Sequence, residues 1–343
     1  MQTSDDTTYE REWTLAMSRF WHVVACSADV DPGGVLAVEL LGRRLALWRT
    51  LDGELGLVDE RCPHRGVALS LGTVADDGCL ECPYHAWTFD RSGTCTRVPQ
   101  LGDRVLPGAS IRAAQVQERY GYIWACLSTE PVRDIPEFPE LDAGTHWYWT
   151  GATFDWHAQN LRQMENFCDV SHFSVLHLDT FGNPVGVPLE PTPATRDGWS
   201  LRYDFPYPVM DPSVPPSPDR PSFPGNFDYH IELPCTVLLS GASGAGSVMF
   251  IHSSPLDVYR TRLFWGTAFP NGVEIDSDEY AAIEDRIWNP DKAIVESQRP
   301  RGLPVDVTPE LHLPHDRASV AFRRALADIG IPAPAREPVV AIP

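Results

Sequence analysis

The sequence predicts an α+β protein of two domains. Residues 20–50 fall into short alternating runs separated by turns. Residues 128–147 form an acidic connector with three prolines. The second half mixes helical stretches with long strands. With 343 residues the chain is long enough for two compact units.

Composition narrows the function classes. Apolar content of 43% and charged content of 22% are those of a globular protein. Asp and Glu number 47 against 27 Lys and Arg, a net charge of -20. That argues against nucleic acid, which needs a basic face, and against anionic membrane surfaces. No apolar run approaches the ~20 residues of a membrane span. The N-terminal MQTSDDTTYEREW is polar and acidic rather than an export signal, so residues 1–18 read as a loose arm and the expected location is the cytoplasm. Cysteines stand at 26, 62, 79, 82, 95, 126, 168 and 235. A chain of this size needs no disulfides, so reduced, buried thiols are the default for each.

The first domain is placed at residues 19–130. FWHVVA (20–25), VLAVELLG (35–42) and RLALWRT (44–50) alternate as strands, broken at Asp31-Pro32-Gly33-Gly34 and Asp52-Gly53. Strands this short and dense imply a small antiparallel barrel or sandwich. Two loops of matching chemistry follow. RCPHRG (61–66) offers Cys62 and His64, and ECPYHAW (81–87) offers Cys82 and His85. Two Cys and two His can hold zinc tetrahedrally. One thiolate and one imidazole per loop also suit a two-iron, two-sulfide cluster with one iron on two Cys and the other on two His. YGYIWACL (120–127) reads as the last strand of this domain.

The second domain is placed at residues 131–343. WYWTGATFDWHAQN (147–160) opens as a strand and residues 161–177 read as a helix. Asn166, Asp169, His172 and His177 fall at the spacing N-x2-D-x2-H-x4-H within it. Asp169 and His172 share a helix face, but His177 is off the i, i+4 row. The two imidazoles can meet at one metal only if the helix distorts or ends between them. Two His are two-thirds of a non-haem iron(II) site, and the missing third is a carboxylate. In residues 277–300, Asn289-Pro290 either kinks a helix or starts a second one. That break beside Asp291 can turn its carboxylate inward; Glu284 and Asp285 are the alternatives. Strands are expected at 227–240, 247–254 and 259–269, with a Gly-rich turn at 241–246. The eight prolines of 206–224 exclude a central strand and leave a loop, either structureless or shaping a pocket entrance. Phe154, Trp156, Asn166, Phe250, His252, Trp265 and Trp288 are candidates to line a largely apolar substrate pocket.

The strings CPHRG and CPYHAWTFDRSG resemble the cluster loops of Rieske iron–sulfur domains. With N-x2-D-x2-H-x4-H downstream, the whole chain resembles the catalytic subunit of Rieske non-haem iron oxygenases, and DKAIVESQ (291–298) resembles that family's third-ligand segment. The resemblance implies a Rieske [2Fe-2S] domain on Cys62, His64, Cys82 and His85, followed by a helix-grip catalytic domain with mononuclear Fe(II) on His172, His177 and Asp291. It implies O2 as co-substrate and NAD(P)H as the ultimate reductant, through a ferredoxin or flavin reductase. By their charge, Arg61, Arg65, Arg91 and Arg97 around the cluster loops are candidates to receive an acidic ferredoxin. The resemblance also implies a homotrimer with head-to-tail contacts, in which Asp169 bridges His172 to His85 of the partner subunit. The chain is similar to the shorter monooxygenase and demethylase members. The expected activity is therefore hydroxylation of a small cyclic or aromatic compound, with O- or N-demethylation or ring dihydroxylation as alternatives. An electron carrier without an open iron site, or a zinc-held binding module, are the competing classes.

Overall fold

The structure, a computed structural model, describes residues 4–102, 104–142, 144–182, 189–210, 221–223, 225–241, 244, 246–308 and 310–334. It divides into two units, Met17–Glu137 and Met1–Ala16 with Phe138–Pro343. The loose arm expected at the N-terminus is in its described part a helix, Ser4–Met17 (α1). Its polar composition hides a stripe: Tyr9, Trp13 and Met17 recur every four residues, and all three are buried. The Tyr9 hydroxyl accepts from Gln159 Nε2 at 2.8 Å, so burial of the stripe comes with a polar tether.

The unit Met17–Glu137 is built of strands His22–Cys26 (β1), Val35–Leu40 (β2), Arg43–Arg49 (β3), Leu55–Asp59 (β4), Thr73–Val74 (β5), Leu80–Glu81 (β6), Thr88–Phe89 (β7), Cys95–Arg97 (β8), Gln115–Arg119 (β9) and Tyr122–Cys126 (β10). They make three antiparallel sheets, β1-β10-β9, β2-β3-β4 and β5-β6-β7-β8. Trp48, Val58, Leu69, Leu80, Trp87 and Phe89 form one core cluster, and the Cys62 and Cys82 side chains are part of it. All eight cysteines are unpaired and buried.

The other unit adds Pro139–Asp142 (α2), His146–Thr150 (β11), Phe154–Trp156 (β12), Asn160–Cys168 (α3), Phe173–Leu176 (α4), Thr195–Asp197 (β13), Ser200–Pro206 (β14), Val209–Met210 (β15), Ser222–Phe223 (β16), Asn226–Glu232 (β17), Thr236–Ser240 (β18), Val248–Asp257 (β19), Arg260–Pro270 (β20), Ser277–Ser297 (α5) and Arg317–Asp328 (α6). One antiparallel sheet runs β11-β20-β19-β18-β17-β14-β13, with β12 also paired to β20. The helices α3 and α5 lie on one face of it: Ser253 bonds Gln163, and Thr267 bonds Tyr280 at 2.7 Å. On the other face Phe138 packs edge-on against Phe250 and His230. The single strand expected over 227–240 is two, because Pro234 has no N–H for a ladder and the chain turns there. The 206–224 segment carries the small β15–β16 pairing, but residues 211–220 and 224, on which an entrance loop would fall, lie outside the described residues.

The helix expected over 161–177 is also two, and the break decides the site. Asp169 leaves the helix in an extended conformation (φ -96, ψ 119). Its Oδ1 accepts from the Ser171 N–H at 2.7 Å and from the Ser171 hydroxyl. A short polar side chain that captures backbone two residues on competes with helix propagation. Around Asp291 no second helix starts: α5 runs through Pro290, and Asn289 Nδ2 donates to the Asp285 carbonyl at 2.7 Å instead of capping.

Candidate metal centres and substrate cavity

The two cluster loops share one backbone design. The Cys62 N–H donates to the Val67 carbonyl at 2.9 Å, and Gly66 N–H returns to Cys62 at 2.9 Å. Cys82 and Ala86 repeat this with Trp87, at 2.8 and 3.0 Å. The fifth residue of each loop is left-handed, Gly66 at φ 71 and Ala86 at φ 54, so one loop meets the demand with glycine and the other bears the strain of a Cβ. The hydrogen bonds close each loop over a buried thiol and push the imidazole outward. His64 and His85 are half-buried, with their Nδ1 atoms 3.1 Å apart. His64 stacks on Trp87 at 4.8 Å, nearly parallel.

Electrostatics match a metal-bound role. Burial pushes the Cys62 thiol up to about 11; the His64 backbone N–H pulls it back and the neighbouring Cys82 adds to the rise. A thiol so placed becomes a thiolate only when a metal takes the proton's place. Burial, then His85 and Arg65, lower His64, which favours its neutral ligand form.

Among the described residues, three or more His, Cys, Asp or Glu ligand atoms converge only at His172, His177 and Asp291, where they lie within 4.8 Å of one another. The four loop residues thus do not share one centre, as tetrahedral zinc requires. Two thiols inside and two imidazoles outside fit the two ends of a binuclear cluster.

At the converging site the break after α3 puts His172 before the single turn of α4 and His177 after it. This resolves the awkward spacing: the two imidazoles flank a turn rather than ride one helix. Asp291, from α5, is buried, with Oδ1 3.7 Å from His172 Nε2 and 3.3 Å from His177 Nε2. Two ligands at right angles, each about 2.1 Å from a metal, lie roughly 3 Å apart, so the trio is close to a facial set. Asp291 Oδ1 is buried with no hydrogen-bond partner, an expensive arrangement unless a cation takes it. These residues fit a divalent iron.

The surroundings orient the imidazoles. Asp169 Oδ2 sits 3.7 Å from His172 Nδ1, which favours the tautomer with Nε2 free for the metal. Burial would raise the Asp169 carboxyl, but His172 and Ser171 outweigh it and hold it below its ordinary value. His177 stacks on Phe181 at 4.9 Å. Gly182 makes that turn possible: a Cβ there would stand 2.1 Å from the Phe173 carbonyl.

A cavity of about 100 Å³ opens on the trio. Phe167, Phe173, Phe181, Phe227, Tyr229 and Trp288 supply aromatic walls, and Leu239, Met249, Ile251 and Ile287 aliphatic ones; Asn166 also lines it. Of the sequence candidates, the structure brings only Asn166 and Trp288 to this cavity. Phe250 and His252 lie on β19 one residue out of step with Met249 and Ile251, so they point through the opposite face. His252 Nδ1 pairs there with the Thr236 hydroxyl at 2.8 Å. Trp265 sits behind Trp288 at 5.7 Å, and Trp156 and Phe154 pack with Val295. Asp285 is exposed, and the side chain of Glu284 lies outside the described residues.

Comparison with known proteins agrees with this geometry. Residues 20–116 match the Rieske [2Fe-2S] domain, and residues 156–330 match the vanillate O-demethylase oxygenase C-terminal domain. The methylxanthine N1-demethylase NdmA of Pseudomonas putida is 31% identical over 93% of this chain and 90% of that protein. The chain belongs to the Rieske non-haem iron oxygenases. It is an oxidoreductase that uses O2, with a [2Fe-2S] cluster in its Rieske domain and non-haem iron in its catalytic domain. The methylxanthine N3-demethylase NdmB of the same organism is 27% identical over 93% of this chain and 89% of that protein. The solved structure of NdmA with caffeine superposes with a TM-score of 0.78 at 28% identity, covering 91% of each chain. Dicamba monooxygenase, at 19% identity and a TM-score of 0.74 over 91% of this chain and 97% of that one, shares the fold. Among the described residues, no helix of this Rieske oxygenase is long and apolar enough to cross a membrane.

Proposed function

We propose that this Rieske oxygenase acts as a monooxygenase on a small, neutral, flat ring compound, with removal of a ring N-methyl group as its main reaction. The carrying observation is the cavity: six aromatic side chains beside His172, His177 and Asp291, and no Lys or Arg lining it among the described residues. An anionic substrate buried there would lose its hydration with no cationic side chain on the walls to pair its charge. The demethylase relatives over nearly the whole chain support the choice of reaction. The balanced reaction takes the N-methyl compound, O2, two electrons and two protons to the N–H compound, formaldehyde and water. Ring hydroxylation is the second reading, since the same aromatic walls accept a ring C–H.

In this reading His172, His177 and Asp291 hold iron(II), Cys62 and Cys82 one cluster iron, and His64 and His85 the other. Bound there, the iron supplies open positions for O2 and the cluster supplies electrons one at a time. The chain's own part is to hold both Nε2 atoms and one carboxylate on a common point and to keep water out with aromatic walls. The test is product analysis with NADH, a flavin reductase and a panel of N-methyl, O-methyl and unmethylated flat heterocycles. Formaldehyde in step with demethylated product supports demethylation. Products that gain oxygen without losing carbon favour hydroxylation. Oxygen uptake with no altered compound overturns both.

Asp169 is the proposed bridge to a neighbouring copy, with three chains closing a ring. Supporting this, Ser171 occupies only its Oδ1, and the half-exposed carboxylate keeps a solvent side for a second imidazole beyond His172. His85 offers a half-buried ring at its loop tip. Asp169→Asn should leave iron and sulfide content unchanged while slowing single-turnover oxidation of the cluster about ten- to a hundredfold. Unchanged turnover would sink the bridge.

For the electron donor, Arg91 and Arg97 are already neutralised by Glu54 and Glu81. Arg61 and Arg65, both exposed on the first cluster loop, have no such carboxylate among the described residues. They are the proposed contacts for an acidic donor protein. Charge reversal of both to Glu should raise the KM for that donor about tenfold at low salt, and the gap should shrink as salt is added. A KM indifferent to the reversal would move the docking site elsewhere.

A further inference from the structure

The cavity walls hold three polar groups that the protein itself leaves unused. Tyr229, on β17, is 2% exposed, and its hydroxyl has no hydrogen-bond partner among the described residues. The Asn166 side-chain amide, one turn before the break that places His172, likewise has none. The Trp288 indole N–H is buried and unsatisfied. Of the three, the Trp288 N–H is the fully buried and unsatisfied one, which a native interior rarely leaves so; the Tyr229 hydroxyl and the half-buried Asn166 amide line the same apolar cavity and add polar groups that a ligand can pair. The neighbours show the contrast: Tyr203 hydroxyl donates to the Phe167 carbonyl at 3.2 Å, and Trp265 N–H donates to the Ala152 carbonyl at 2.9 Å.

Tyr229 is also held still. Its ring stacks on Tyr203 at 4.5 Å and 8° from parallel, and the two residues are paired across β14 and β17. Burial pushes its phenol well above the ordinary range, so the hydroxyl stays protonated and able to donate. A rigid neutral donor in an apolar wall is how a site selects for an acceptor, because the analogue lacking it leaves the buried hydroxyl unpaired.

We propose that Tyr229, with Asn166 and the Trp288 indole, is the specificity-determining polar set of this cavity, and that it selects neutral flat heterocycles carrying a carbonyl or ring-nitrogen acceptor. This rests on the reading of the cavity as the substrate site and adds to it the feature the substrate must present. Asn166 offers both a donor and an acceptor, so a ring with a carbonyl beside an N–H or ring nitrogen satisfies the set best. Neither a bare hydrocarbon ring nor a carboxylate does.

The test separates binding from turnover. Calorimetric titration of the full holoenzyme uses 1-methyl-2-quinolone, which carries a carbonyl, 1-methylindole, which has no comparable acceptor, and 2-naphthoate, an anion. The quinolone should bind at least about tenfold tighter than either of the others. Tyr229→Phe keeps the ring and its stacking and should weaken the quinolone about tenfold while leaving 1-methylindole within about twofold. Trp288→Phe is the companion variant and should show the same selective loss. Equal binding of quinolone and indole by the wild type overturns the proposal, as does a Tyr229→Phe that binds the quinolone undiminished. A selective quinolone site that yields no oxidised product would leave this inference standing and refute the monooxygenase reading instead.

Discussion

Asp291→Ala should reduce the iron content from about three to about two atoms per chain, leave the two sulfides in place, and abolish substrate oxidation. The proposed cluster ligands Cys62, His64, Cys82 and His85 belong to the other unit of the chain, so the reduced-state spectrum of the cluster should survive. A metal that stabilises developing charge by several kcal/mol is missing in the variant, so turnover should fall at least about a thousandfold. The effect on stability should run the other way from most core substitutions. Asp291 is 3% exposed, and its Oδ1 is buried without a hydrogen bond. In iron-free protein that carboxylate costs about 1–3 kcal/mol, so the iron-free variant should melt no lower than iron-free wild type. Added Fe(II) should raise the melting temperature of the wild type and not that of the variant. Metal analysis with calorimetry checks both. A variant that retains its third iron and its turnover would return the third-ligand role to another acid, with exposed Asp285 the weaker choice.

The parts of the site that could be read in the sequence are those where chemistry and chain neighbours coincide. Cys62 with His64, and Cys82 with His85, lie within single loops, so spacing alone conveys a paired thiolate and imidazole. His172 and His177 were legible as a pair, but their geometry was not, because it depends on Asp169 capturing the Ser171 backbone instead of continuing a helix. The cavity was the least legible. Sequence alternation tells the two faces of a strand apart only when one face is polar, and β19 is buried on both faces over most of its length. Phe250 and His252 were therefore as plausible as Met249 and Ile251, and the sheet chose the latter. On β17 the faces were legible, since Phe227, Tyr229 and Ile231 alternate with Asp228, His230 and Glu232; what no local pattern showed was that this face meets the cavity. The N-terminal helix was masked by its charge, although Tyr9, Trp13 and Met17 carried the spacing that reveals it. No local pattern could pair residues 158 apart, which is the separation of Glu165 and Arg323.

That pair sets up the largest expected effect on stability. Arg323, on α6, lays its guanidinium across both oxygens of Glu165 on α3, one of them at 2.9 Å, and also donates to Glu310 and to the Pro304 carbonyl at 3.2 Å. Arg162 closes the group from 3.5 Å off Glu165 and 3.3 Å off Glu310. The Arg323 and Glu165 side chains are 3% and 11% exposed, so little water screens them. Arg323→Met should destabilise the catalytic unit by about 3–5 kcal/mol, because it leaves a carboxylate buried beside a single, more distant arginine. For a unit of this size that lowers the melting temperature by roughly 10 °C. Arg323→Met combined with Glu165→Met removes both charges and should recover much of the loss, since a buried pair replaced by apolar groups is often near neutral. The pH dependence has a definite sign. Burial would raise the Glu310 carboxyl, but Arg323 and then Arg162 outweigh it and hold it below its ordinary value. A depressed carboxyl contributes stability that is full above its unfolded pKa of about 4.3 and is lost as pH falls through the folded value. The gap between wild type and Arg323→Met should therefore be widest near neutrality and narrow below about pH 4. Thermal melts of the iron-loaded proteins across that range check it. A gap that is small at neutral pH, or that does not close in acid, would show that α6 is fastened to α3 by its apolar contacts and not by this charge network.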